Sequence, residues 1–194
     1  IDAEMQYTGT LLTLLNPFGL LGGLTAIAIF LLHGSLFLSM KVEGQIAQHA
    51  KAFAQKAWGI ALALTVLTLA AAFVYTDIGK HAVIILVPVA GLVALLLAGY
   101  FNKQKKTGWA FTMTGLTIAL SVITTFLVMF PRVMISSTDP ANSLTIYNAS
   151  SSPYTLQVMS VVALVFVPIV LVYQIWTYRV FRQRVKADPK TLTY

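Results

Sequence analysis

The residue most able to do chemistry in this sequence is a histidine within a long apolar stretch. His33 is the only ionisable residue between residues 17 and 40. Ionisable groups at membrane depth are costly and often functional, so its imidazole is a candidate haem ligand or proton-relay group. A neutral imidazole bonded to a neighbouring helix explains the same residue without any such function. A bis-histidine haem needs a second histidine at this depth, whereas we expect His49 in a loop and His81 at a membrane boundary.

Four hydroxyl side chains in a later apolar stretch share one helical face. They are Thr114, Thr117, Ser121 and Thr124. Residues at these spacings lie above one another on a helix, so the hydroxyls form a stripe. Such a stripe lines a water chain for protons, or it bonds to a neighbouring helix and to its own backbone. Packing is the interpretation that these residue types favour, and the proton relay is the functional alternative.

Several kinds of chemistry are excluded by composition. None of the 194 residues is a cysteine, which rules out disulfides, thiolate metal sites and thiol redox reactions. We predict no metal site in this chain. A net charge of +7 could suggest nucleic acid, but the positions of the basic residues give it another explanation.

Five long apolar segments must position these groups. The chain is 58% hydrophobic and 10% charged, whereas about 25% of the residues of a soluble domain are charged. About 20 apolar residues in a helix cross the hydrocarbon core of a bilayer. The predicted spans are residues 17–40, 57–76, 82–101, 109–130 and 157–178. The predicted fold is therefore all-α, a single polytopic membrane domain (residues 1–194) that forms a bundle of five transmembrane helices.

The basic residues are distributed unevenly between the two ends of these spans. Only Lys80 and Arg132 lie on the side where the second and fourth spans end. The other eleven lie on the opposite side: Lys41, Lys51, Lys56, Lys103, Lys105, Lys106, Arg179, Arg182, Arg184, Lys186 and Lys190. By the positive-inside rule the N-terminus is outside and the C-terminus is cytoplasmic. The same distribution explains the net charge without a nucleic-acid partner.

The connection of residues 131–155 is longer than most loops and has no predicted regular element. Apolar and polar residues are interleaved in it, so we expect an ordered outer loop that docks on an apolar surface. The docking residues that we predict are Ser136, Ser137, Thr138, Asp139, Pro140 and Tyr147. Asp139–Pro140 and Ser152–Pro153 each place a capping residue before a proline, and the second pair is predicted to start span five.

Three segments carry a family resemblance. They are Asn-Pro-Phe-Gly-Leu-Leu-Gly-Gly at residues 16–23, Pro-Ile-Val-Leu-Val-Tyr-Gln-Ile-Trp-Thr-Tyr at residues 168–178, and the long run of residues 130–159. The long run resembles the outer loop of subunit II of cytochrome bd-type quinol oxidases. The other two resemble the entry to that family's fifth helix and its last helix. The resemblance covers essentially the whole chain.

The family's subunit II has nine helices, so the resemblance implies that the five spans correspond to helices five to nine. The sequence starts at Ile1 without an initiator methionine. We therefore expect a missing N-terminal half that carries the first four helices and the acidic residues associated with proton entry.

The resemblance also implies partners and cofactors. Subunit I would hold haems b and d and an outward-facing quinol site, in a bacterial plasma-membrane complex that oxidises quinol and reduces oxygen to water. The present chain offers no plausible set of axial ligands. Its implied role is a haem-free scaffold without catalytic residues of its own and with lipid or quinone in its grooves. A small third subunit is a further implied partner.

Two other functions stay open. A small multipass transporter or channel subunit would need polar or charged residues at the midplane of broken helices. Spans two to five contain no Asp, Glu, Lys, Arg or His, which argues against transport. An assembly factor without a bound substrate is the third interpretation.

Overall fold

The computed structural model describes residues 1–4, 6–80, 82–136 and 139–185. Five helices are long and apolar enough to cross a membrane, which confirms the predicted fold class. In chain order the α-helices are α1 (Leu11–Leu14), α2 (Pro17–Lys41), α3 (Gln45–Tyr75), α4 (Ala82–Lys103), α5 (Thr107–Met129) and α6 (Pro153–Val180). The strands are β1 (Arg132–Met134) and β2 (Leu144–Thr145), and 3-10 turns occupy Asp77–Lys80 and Pro140–Asn142.

The chain forms two compact units. The first unit, which we call the bundle, contains Tyr7–Phe130 and Val185 among the described residues. Ile1–Gln6 and Pro131–Arg184 make up the second, which we call the hairpin unit because it contains the β1–β2 pair.

In the bundle, α2 packs on α3 and α5, and α4 packs on α5 and α3. Leu32, Leu36 and Leu95 are almost completely buried in its centre. The buried residues of α3 are all alanines, and Ala54 and Ala61 are fully buried. Small residues allow helix backbones to approach closely, which is the main source of packing energy inside a membrane.

Helix α2 begins where the local sequence predicts. The Asn16 side chain accepts a 2.7 Å hydrogen bond from the Gly19 N–H, and Pro17 occupies the first helical position. This arrangement satisfies one of the free donors at the helix start, and proline has no N–H that would need a partner there.

Helix α3 begins at Gln45, well before the predicted span at residue 57. The expectation that His49 lies in a loop was therefore wrong. The segment before the span is rich in alanine, glutamine and lysine, all good helix formers, so the helix continues beyond the apolar stretch. Its 31 residues correspond to about 46 Å, more than the ~30 Å hydrocarbon core.

The turn between α2 and α3 is paired with the chain that follows α6. The Val185 N–H donates to the Lys41 carbonyl over 2.8 Å, and the Glu43 N–H donates to the Val185 carbonyl over 3.1 Å. Gly44 has φ +78° at the start of α3, a conformation that favours glycine because it has no Cβ.

The hairpin unit is ordered by short-range hydrogen bonds. Strands β1 and β2 pair antiparallel, so the connection does contain regular structure, contrary to expectation. Asp139 accepts from the Ala141 N–H and caps a 3-10 turn, while Ser152 caps α6 with Pro153 at its first position. Both predicted capping pairs are confirmed.

Candidate functional site

Hydrogen bonds join each pair of neighbouring helices in the bundle. In a membrane, apolar contact alone gives little drive for association, so these bonds and close packing hold the helices together. The bonded pairs are Thr25–Thr68 between α2 and α3, Trp58–Leu95 between α3 and α4, Gly91–Thr117 between α4 and α5, and Thr114–His33 between α5 and α2.

His33 lies at the contact between α2 and α5. Its Nδ1 is 2.7 Å from the Thr114 hydroxyl oxygen, and that hydroxyl is 2.8 Å from the Phe111 carbonyl oxygen. The Phe111 ring stacks on the imidazole with 4.2 Å between ring centroids. The predicted candidates His33 and Thr114 are therefore in direct contact, although they are far apart in the sequence.

The hydroxyl stripe of α5 divides into two halves. Thr114 and Thr117 are buried, and Thr117 is shared between the Met113 carbonyl of its own helix at 2.9 Å and the Gly91 carbonyl of α4 at 3.4 Å. Ser121 and Thr124 donate to carbonyls four residues earlier in α5, each over 2.8 Å. Thr114 and Thr117 thus contact neighbouring helices, whereas Ser121 and Thr124 bond the backbone of α5 itself. A proton-relay role for any of these groups stays a prediction.

The contact between α3 and α4 was not predicted from the sequence. The Trp58 indole N–H donates to the Leu95 carbonyl over 2.8 Å. A Cβ added at Gly99 would collide with the indole ring, so the glycine is required for this crossing. A glycine in the interior of a predicted helix, which lowers helix propensity, was the available signal of a close approach.

The predicted docking residues of the connection have different environments. Ser136 is buried and its hydroxyl donates to the Ile1 carbonyl over 3.0 Å. Asp139 and Pro140 are exposed at the 3-10 turn, and Tyr147 is 77% exposed. Ser137 and Thr138 lie outside the described residues. Docking on a partner stays a prediction for this set.

An apolar groove of about 460 Å³ lies between α2 and α3. Phe30, Leu31, Leu38 and Phe53 give it an apolar lining, and His49 is also part of the lining. His33 instead bonds to α5 and is absent from the groove. The two histidines therefore face different neighbours.

Comparison with known proteins points to one family. The model for cytochrome bd terminal oxidase subunit II matches residues 1–181. The chain is 40% identical over 197 residues to cytochrome bd ubiquinol oxidase subunit 2 of Bacillus subtilis, covering 100% of this chain and 58% of that protein.

Two further relatives are also named as subunit 2 of an oxidase. Cytochrome bd-I ubiquinol oxidase subunit 2 of Escherichia coli strain K12 is 31% identical over 227 residues, covering 98% of this chain and 59% of its own length. The probable cytochrome oxidase subunit 2 of Haemophilus influenzae is 30% identical, covering 95% and 57%. The chain spans less than three fifths of the length of these relatives.

The contact between α2 and α5 leads to a stability prediction. Replacing Thr114 by valine keeps the side-chain shape but removes the hydroxyl that bonds His33, so we expect a loss of about 0.5–2 kcal/mol in unfolding free energy. Thr112→Val on the same helix is the matched control, because Thr112 is exposed and bonds only the Gly108 carbonyl among the described residues. Detergent-induced unfolding of the purified protein measures both. Equal stability of the two variants would contradict a role for the His33–Thr114 bond.

Proposed function

Because the chain belongs to the family of cytochrome bd terminal oxidase subunit II, we propose that it is a haem-free structural subunit of a terminal quinol oxidase of the respiratory chain. In this proposal subunit I holds haems b and d and carries out quinol oxidation and oxygen reduction. The present chain supports subunit I within the membrane. The match of the family model to residues 1–181 is the observation that carries the proposal.

The position of the histidines supports placing the haems in the partner. Haem iron held by two histidines needs both imidazoles to face one space. His33 faces α5, whereas His49 lines the groove between α2 and α3. These two residues do not fit a shared haem, and His81 lies outside the described residues.

The groove between α2 and α3 supports a second part of the proposal, the binding of lipid or quinone. Phe30, Leu31 and Phe53 supply the apolar surface that a long hydrocarbon chain would contact. Ser35 and His49 add polar groups to the same lining. Apolar grooves with a few polar groups are the usual form of sites for such molecules.

Apolar side chains of the hairpin unit support docking on subunit I. Val133, Ile135 and Tyr147 are 53%, 49% and 77% exposed. Exposed apolar side chains of this size are available to contact a partner. The N-terminal half of the family's subunit and a small third subunit are further partners in this proposal.

The chain is a multi-pass bacterial membrane protein, and we place its N-terminus outside and its C-terminus in the cytoplasm. The Ser136–Ile1 bond joins the connection after α5 to the start of the chain, which supports placing both on one side of the membrane. The excess of basic residues on the Lys41 side supports a cytoplasmic position for that side.

Absorption spectroscopy tests the assignment of the haems. The chain copurified with subunit I should show haem bands, and the chain expressed alone should show none. A His33→Asn complex is the control, and its bands should match those of the unmodified complex because His33 ligates no haem in this account. Stoichiometric haem in the isolated chain, or shifted bands in the His33→Asn complex, would contradict the proposal.

Labelling of single cysteines tests the orientation, since the chain has no cysteine of its own. Ser150 and Gln104 are both exposed, the first in the connection before α6 and the second in the turn after α4. In spheroplasts that contain the assembled complex, a membrane-impermeant maleimide should label Ser150→Cys at once. It should label Gln104→Cys only after permeabilisation. The reverse pattern would refute the proposed orientation.

A further inference from the structure

The hydrogen bonds around Thr114 favour one of the two neutral tautomers of His33. A threonine hydroxyl has one hydrogen to donate and two lone pairs that accept. The Thr114 hydroxyl lies 2.8 Å from the Phe111 carbonyl and 2.7 Å from His33 Nδ1. If Thr114 donates to Phe111 and accepts from the Nδ1–H of His33, both contacts are hydrogen bonds. If Thr114 instead donates to Nδ1, no hydrogen lies between its hydroxyl oxygen and the Phe111 carbonyl oxygen, and only one of the two contacts is a hydrogen bond.

The first arrangement makes two bonds in place of one. In a medium of low dielectric constant each such bond is strengthened by its neighbour, and each missing bond is costly. These contacts therefore favour the tautomer of a neutral His33 imidazole that carries its proton on Nδ1. The other nitrogen, Nε2, then has a lone pair and no hydrogen, which makes it a hydrogen-bond acceptor.

The surroundings of His33 leave this acceptor accessible. The side chain is half-buried, and no donor among the described residues bonds to Nε2. Every buried side-chain nitrogen or oxygen in the described part of the chain has a partner, so Nε2 lies at the surface of the bundle. Gly115 of α5 lies beside the imidazole, because a Cβ added there would be 3.7 Å from His33 Cε1.

The depth of this acceptor excludes bulk water as its partner. His33 precedes the end of α2 at Lys41 by eight residues, which corresponds to about 12 Å along a helix. The polar ends of α2 are therefore too far away to satisfy Nε2. An acceptor without a donor in hydrocarbon costs free energy comparable to a lost hydrogen bond, so a partner from outside the described residues is required.

We propose that His33 Nε2, beside Gly115, is a binding site at membrane depth for the hydroxyl of a small molecule. The ligand donates an O–H to Nε2 while the Nδ1–Thr114–Phe111 bonds hold the imidazole in place. A bound water molecule and the hydroxyl of a membrane-soluble quinol both supply this chemistry. The quinol alternative rests on the proposed function, whereas the water alternative does not.

A map of the intact complex at a resolution that places water molecules tests the site. In the unmodified complex we expect density for an oxygen about 2.7–3.2 Å from Nε2. An isolated peak identifies water, and a peak continuous with a ring identifies a quinol. Hydrocarbon alone against Nε2, or a side-chain donor from another subunit, would overturn the proposal.

Two variants of His33 separate the acceptor from the contact with Thr114. In His33→Asn the amide NH₂ can replace Nδ1–H toward Thr114, but no atom remains at the Nε2 position. In His33→Gln the longer side chain places its amide oxygen near the Nε2 position. We expect the oxygen density to disappear in the asparagine variant and to persist in the glutamine variant.

Quinone extracted from the purified complexes distinguishes the two sources of the hydroxyl. If the ligand is a quinol, the asparagine variant loses bound quinone relative to the unmodified complex; if it is water, the quinone content is equal and only the isolated peak is lost. Oxygen density that is unchanged in the asparagine variant contradicts the proposal. If neither variant assembles, the map of the unmodified complex decides alone. An absence of haem from the complex would reject the proposed function and leave the acceptor site standing.

Discussion

The structure depends on satisfying polar groups in a medium that offers no water. Each contacting pair of helices in the bundle has a hydrogen bond in addition to its apolar contacts. Hydrocarbon gives helices little reason to associate through apolar side chains, whereas an unpaired polar group is costly. The small residues of α3 and Gly99 of α4 bring the backbones close enough for these bonds to form. Packing and polar pairing are therefore coupled, and neither is sufficient alone.

Properties that depend on neighbouring residues in the sequence could be predicted. The apolar segments gave the number of spans, and Ser152–Pro153 gave the start of α6, because hydropathy and capping are local. His49 was wrongly predicted to lie in a loop because hydropathy marks where a helix leaves the hydrocarbon, whereas α3 extends beyond that point to Gln45. The helix propensity of the segment before residue 57 was the better guide to where α3 begins.

The candidate site could be predicted only in part. His33 and the stripe that contains Thr114 were recognised separately, each as an unusual polar group in an apolar span. Their contact joins residues 81 positions apart, and helix packing of this kind leaves no periodic pattern in either segment. The Trp58–Leu95 bond was missed for a similar reason, since its acceptor is a backbone carbonyl that any residue possesses. Residue type also does not show which hydroxyls of the stripe bond across helices. Ser121 and Thr124 have the same chemistry as Thr114 and Thr117, and only the packing of α5 on its neighbours distinguishes the two pairs.

The claim that polar pairs between helices stabilise the bundle is tested most directly at Thr25 and Thr68, because both partners there are side chains 2.7 Å apart. A double-mutant cycle with valine at either or both positions isolates their interaction from the bond of Thr25 to its own helix. The measurement is the unfolding free energy of the four proteins in a bilayer mimetic. Our account predicts a favourable coupling energy of about 0.6 kcal/mol or more. A coupling energy of zero, with the two substitutions simply additive, would contradict it.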